Sequence, residues 1–168
     1  MNRWARILKH RWHDESDVER ALGRAGLDRV GARVAASELG HSGEVRVCVE
    51  AGLPLSYLWR DAPARERALA MFGKLRVWDT RHNNGVLIYL LLAEHAIEIV
   101  ADRGLSQHVP HEHWQQLAQG MSSAYKAGRF EEGLGQAIDA VHELLCRHFP
   151  LQPGVANPNE LPDRPYVR

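Results

Sequence analysis

The segment GVLIYLLLA, starting at Gly85, is apolar on both faces and rich in branched residues. A strand of this kind has no side for water, so its sheet needs a helical layer on each face. The run is also too short to span a bilayer. A tight Glu94-His95 connection leads into AIEIVAD, so the two runs read as an antiparallel hairpin. Upstream, valines at 45, 47 and 49 alternate with more polar residues, which gives a third, half-buried strand. Between that strand and the hairpin lies a charged segment that follows Pro63 and carries Ala64, Ala68, Leu69, Met71 and Phe72 on one side. It reads as a crossover helix, and strand–helix–strand units cross over right-handedly.

Three strands among five or six helices predict an α/β fold, an α/β/α sandwich with a small mixed β-sheet covered by helices on both faces. Val18, Ala21, Leu22 and Ala25 mark one helix after a cap at Asp14 or Ser16, and Leu27, Val30, Val34 and Ala35 mark another beyond a break at Gly26. Trp114, Leu117, Ala118, Met121 and Tyr125 form one later stripe, and Leu134, Ile138, Val141 and Leu145 form the last. The chain of 168 residues fits one domain, divided here into an N-terminal basic amphipathic helix (1–13), an α/β body (14–149) and an extended proline-rich tail (150–168). That tail holds five of the eight prolines; it either wraps the body or awaits a partner.

In the first helix Trp4, Leu8 and Trp12 share a face among Arg3, Arg6, Lys9 and Arg11. Two readings fit: an anchor on a membrane or partner, or a terminal helix that docks two tryptophans on the core. The second is preferred because so short a helix is marginal alone, and membrane association is not expected. With 21 basic against 21 acidic side chains, binding of nucleic acid over the whole surface is excluded as well. Cys48 and Cys146 have no partner at metal-ligand spacing and read as buried thiols. No secretory leader pattern opens the chain, so a cytoplasmic location is expected.

Chemistry concentrates at the hairpin ends. Asp79, Asn83 and Asn84 precede the first strand of the hairpin and Asp102 follows the second, so the hairpin can bring them into one corner. Carboxylate and amide oxygens are what Ca2+ or Mg2+ prefer, which makes these four the candidate metal ligands. The alternative is a plain Asn-Asn-Gly turn with Asp79 capping the loop. Arg103, next to Gly104, either holds a phosphate at a helix start or pairs with Asp102 or Asp79. His108, His111 and His113 lack the spacing of a zinc site and read as exposed first-turn histidines. A P-loop, a nucleophile elbow and a C-x-x-C pair are all missing from the sequence.

The succession SGEVRVCVE, LAMFGKLRVWDT, NNGVLIYLLLAEHAIEIVADRGL and YKAGRFEEGLGQAIDAV resembles the TPM domain over roughly residues 15–149. That family includes a thylakoid lumen phosphatase, a photosystem repair protein and a nematode receptor modulator. The resemblance implies an α/β/α sandwich, calcium binding in some members and weak acid phosphatase activity in a few. The family turn often reads Asp-Asn-Gly where this chain has Asn83-Asn84-Gly85, one carboxylate fewer, which Asp79 is placed to restore. The glycine-rich segment of the family is here ADRGL, which supplies Asp102 and Arg103. The chain looks like the short, free-standing cytoplasmic branch of the family.

Two functions are therefore expected to compete. One is a cation-dependent phosphatase-like protein acting on a phosphate ester, with Asp79, Asp102 and Arg103 as catalytic residues. The other is a non-enzymatic binding or scaffolding module in assembly or stress response that meets a protein partner through the first helix or the tail.

Overall fold

A computed structural model describes residues 3–168; Met1 and Asn2, the start of the expected first helix, lie outside the described residues. The chain forms a mixed sheet in the order β3-β2-β1-β4. Strands β1 (Val45–Glu50) and β2 (Val86–Leu91) are parallel, with Val45 opposite Val86 and Glu50 opposite Leu91. Strand β3 (Ala96–Ala101) returns antiparallel to β2, as the hairpin reading requires. The link is a 3₁₀ turn, Leu92–Glu94, closed by His95 in the left-handed region at φ 50°.

Alternation along the strands assigns each face its own core. Val45, Val47, Val49, Val86, Ile88 and Leu90 pack against α2 (Glu15–Glu38), α6 (His111–Lys126) and α7 (Phe130–His148). Cys48, Leu87, Tyr89, Leu91 and Val100 face α3 (Leu55–Trp59) and α4 (Ala64–Lys74). Helices on both faces are what a strand as apolar as β2 demands. The stripe Leu134, Ile138, Val141 and Leu145 is fully buried, so α7 sits at the centre of the first core.

Three expectations are corrected. The break in the second helical region falls at Gly23, not Gly26. Gly23 has φ 66° and ψ 166° and an added Cβ there would meet nothing, whereas Gly26 faces Glu131 of α7. The cap is Asp14, which accepts from the Ser16 N–H at 2.8 Å while its own N–H donates to Asp17 at 2.9 Å. Second, the tail contributes a fourth strand, β4 (Tyr166–Val167), parallel to Cys48–Val49 of β1. Hydrogen bonds from Ala51 N–H to the Arg168 carbonyl (2.8 Å) and from Arg168 N–H to that of Val49 (3.0 Å) continue the pairing. Arg46 donates to the Pro162 carbonyl at 2.6 Å, and Glu44 accepts the Leu161 N–H at 3.1 Å. The tail wraps the body because it covers what would be an open edge of β1.

The third correction concerns the first helix, α1 (Arg3–Arg11). Trp4, Leu8 and Trp12 point to solvent, at 61%, 59% and 78% exposure, while Arg6 and His10 are buried. The helix docks by its polar side. The physical reason is the surface beneath it, which offers a carboxylate and backbone groups in need of partners.

Two buried titratable groups set opposite pH trends. Glu38, at the end of α2, accepts the Val45 N–H at 2.8 Å. Burial pushes its pKa up to about 8 against that hydrogen bond, with Glu44 and Asp163 adding to the rise. A raised carboxyl pKa means that the folded state holds the proton more tightly, so this contribution to stability is fully present below the ordinary value of 4.5 and is lost as pH rises through about 8. For His41 burial works the other way, lowering the pKa to about 4, so its contribution is complete above 6.5 and is lost as pH falls through about 4. The two trends offset each other between 4.5 and 6.5, so urea midpoints should fall between about pH 6.5 and 8, and Glu38→Gln should flatten that alkaline limb. An unchanged slope in the variant would assign the limb to another group.

Candidate functional site

At the corner read from the sequence, the backbone joins the two hairpin ends. Asp102 N–H donates to the Gly85 carbonyl at 2.9 Å, and Gly104 N–H to the Asn83 carbonyl at 2.8 Å. Asn83 makes this fit by adopting φ 51°. Gly104 is required for close approach, since a Cβ there would stand 2.5 Å from the Asn83 oxygen and 2.8 Å from that of His82. Gly104→Ala should accordingly destabilise the fold by about 1–3 kcal/mol, read from urea unfolding. An unaltered midpoint would mean that the loops are not packed this closely.

The side chains diverge where the backbone converges. Asn84 is buried and turns towards the approach to β1, its Nδ2 donating to the Ser42 carbonyl at 3.1 Å. Asp102 caps the short α5 (Arg103–Ser106), its Oδ1 accepting the Arg103 N–H at 2.7 Å. Because β2 lies between β1 and β3, these two side chains serve opposite flanks of β2. Asp79 pairs with Arg76 at 2.8 Å on the surface, and Arg103 is exposed. Two buried oxygens, Asn84 Oδ1 and Asp102 Oδ2, have no donor. A calcium centre needs about six to eight converging oxygens, usually with several carboxylates. Asp79, Asn84 and Asp102 are instead each held by a different partner, Arg76, Ser42 and the Arg103 N–H. Among the described residues no group of three or more His, Cys, Asp and Glu is placed to hold a metal ion.

The corner also sits at the amino ends of the parallel pair β1 and β2. Open α/β sheets hold ligands at the carboxyl ends, where strand termini and helix-start dipoles face a crevice. In this chain that edge lies beneath α1. Arg6 Nε donates to Glu94 at 2.7 Å, Nη1 to Asp61 at 2.8 Å and Nη2 to the Ala62 carbonyl at 2.7 Å. His10 Nδ1 accepts the Leu53 N–H at 2.9 Å, which leaves Nε2 to carry the proton donated to Glu94 at 3.0 Å. Gly52 allows this approach, because a Cβ would lie 2.9 Å from the His10 carbonyl. Burial disfavours the Glu94 carboxylate, but the hydrogen bonds from His10 and Arg6 and the Arg6 charge outweigh it and hold its pKa below the ordinary value. Burial likewise acts to lower the Arg6 pKa, and the bonds and charges of Glu94 and Asp61 more than offset it.

This second cluster was missed from the sequence, although a signal for it exists. Arg6 and His10 are four residues apart, on the side of α1 away from Trp4, Leu8 and Trp12. With them buried, Trp4 meets Trp59 of α3 edge-on, ring centres 6.0 Å apart, and the Arg3 guanidinium lies 5.4 Å from the Trp59 ring centre. Leu55 and Trp59 extend the exposed apolar strip onto α3.

Comparison with known proteins agrees with this architecture. The BA42 protein of the psychrophilic bacterium Bizionia argentinensis has a similar structure, with a TM-score of 0.71 and 25% identity over 84% of this chain and 91% of that one. The N-terminal domain of a protein from P. gingivalis shares the fold at a TM-score of 0.55, with 22% identity over 72% of this chain and 76% of that one. No curated protein matches the sequence. The model of the TPM domain matches residues 16–144, the span from the first turn of α2 to near the end of α7. By that match, which takes in the sheet core and both helical layers, the chain belongs to the TPM domain family.

Proposed function

We propose that this chain acts as a non-catalytic binding module whose contact surface is the outward face of α1, which precedes the TPM domain, with the adjoining edge of α3. The observation that carries this reading is the inverted docking of α1, with Arg6 and His10 buried and two tryptophans and a leucine left outside. Large apolar side chains gathered on one exposed surface mark an interaction site far more often than scattered ones do. A photo-crosslinker placed by Trp12→p-benzoylphenylalanine tests it in the producing cells, with Trp78→p-benzoylphenylalanine as an exposed control outside the patch. Adducts from position 12 should clearly exceed those from position 78. Equal yields, or none, would refute the assignment.

The cation-dependent phosphatase is the competing reading, and the buried, donorless Asn84 Oδ1 and Asp102 Oδ2 are what favours it. It requires Asp79 to leave Arg76 and join Asp102 around Ca2+ or Mg2+, with Arg103 facing the phosphate ester. Calorimetric titration with both ions, beside hydrolysis of a generic phosphomonoester, separates the two. The binding module gives neither saturable heat nor turnover above background. Saturable binding or turnover that disappears in Asp102→Asn would put the hydrolase in its place.

A further inference from the structure

We infer that the surface this module meets is an anionic lipid bilayer, a step that rests on the binding-module reading above. The outward face of α1 combines Trp4, Leu8 and Trp12 with Arg3, Lys9 and Arg11, all exposed. No acidic residue occurs before Asp14, in a chain whose formal charges balance to zero overall. The positive charge is therefore local to the apolar strip. Arg6 adds nothing to it, because Glu94 and the exposed Asp61 more than neutralise it. Indole rings beside basic side chains suit the boundary between headgroups and acyl chains, where the ring is half buried and cations meet lipid phosphates.

Geometry favours a plane over a protein groove. A groove that accepts a helix closes around its apolar face from two sides. One side of α1 is already seated on the strand-end loops through Arg6 and His10, and Trp4 leans on Trp59 of α3. What remains is a shallow, one-sided strip lined by Trp4, Ile7, Leu8, Arg11 and Trp12. Trp59 and Leu55 lengthen it along α3. No described helix is long and apolar enough to cross a membrane, so the contact is a helix lying in the interface.

The test is flotation of the full chain with phosphatidylcholine vesicles, with and without phosphatidylglycerol, followed also by tryptophan emission. Binding should require phosphatidylglycerol and weaken as salt is raised. Each basic residue at such a surface contributes about fivefold, so Arg3→Gln/Lys9→Gln/Arg11→Gln should lose on the order of 100-fold. Trp4→Ser/Trp12→Ser should lose about 10-fold or more, and Trp78→Ser should bind as the unmodified chain does. The altered side chains are exposed, and unchanged circular dichroism and urea midpoints would confirm that the fold is kept. Three results would overturn the inference: no binding to anionic vesicles, equal binding to neutral ones, or full binding by Trp4→Ser/Trp12→Ser. If vesicles fail while position 12 still crosslinks to a protein, the partner is an acidic protein surface and the binding-module reading stands without the bilayer.

Discussion

Arg67→Ala is expected to lower global stability by about 3–5 kcal/mol, the usual result of breaking a buried ion pair from one side. Arg67 reaches from α4 across the sheet face to Glu50, at the end of β1, with Nε 2.7 Å and Nη2 2.5 Å from the two carboxylate oxygens. The Glu50 side chain is 1% exposed, and the Tyr89 hydroxyl donates to it at 2.8 Å. Removing the guanidinium leaves a carboxylate in an apolar layer with one neutral donor. Replacing both partners should be far milder, since Glu50→Leu/Arg67→Met leaves no orphaned charge. Urea unfolding of the single and double variants decides this. A double variant as unstable as Arg67→Ala would locate the loss in packing against Tyr57, whose ring centre lies 5.3 Å from the guanidinium, and not in the ion pair.

The second large effect is local. Glu94→Ala removes the one carboxylate that both Arg6 and His10 use, with Arg6 left to the exposed Asp61 and the Ala62 carbonyl. The buried polar side of α1 would then lose its main partner, a loss of about 1–3 kcal/mol. Since α1 is a short terminal helix, this energy is its own docking energy and not that of the core. Amide exchange across Arg3–Arg11 should speed up by roughly 10- to 100-fold while β1 and β2 keep their protection. Equal loss of protection in α1 and the sheet would show that α1 is part of the global folding unit.

What the sequence disclosed follows from the strength of each signal. The run at Val86–Leu91 is apolar at every position, which leaves few arrangements open, and both helical layers and the antiparallel partner follow from it. The strand Tyr166–Val167 is only two residues long and sits among prolines, so no period exists to read, and its pairing depends on β1 alone. The site was half legible. Hairpin pairing brings the backbones of Asn83, Gly85, Asp102 and Gly104 together, but side-chain direction depends on separate partners, the sequence-distant Ser42 for Asn84 and the adjacent Arg103 N–H for Asp102. For α1 the periodicity was correct and the facing inverted. Apolar spacing predicts burial of Trp4, Leu8 and Trp12, and only the three-dimensional placement of Glu94, Asp61 and the Leu53 N–H shows why Arg6 and His10 face inward.

The outward facing of α1 underlies both the proposed function and the lipid contact, and fluorine NMR of the 5-fluorotryptophan-labelled chain tests it without lipid or partner. Signals are assigned by single Trp→Phe substitutions, and a water-soluble paramagnetic agent is then added. Trp4 and Trp12 should broaden at least as strongly as Trp78, which is 49% exposed, while Trp114 at 4% stays sharp. Trp4 and Trp12 signals as protected as that of Trp114 would place both rings in the core and remove the contact surface.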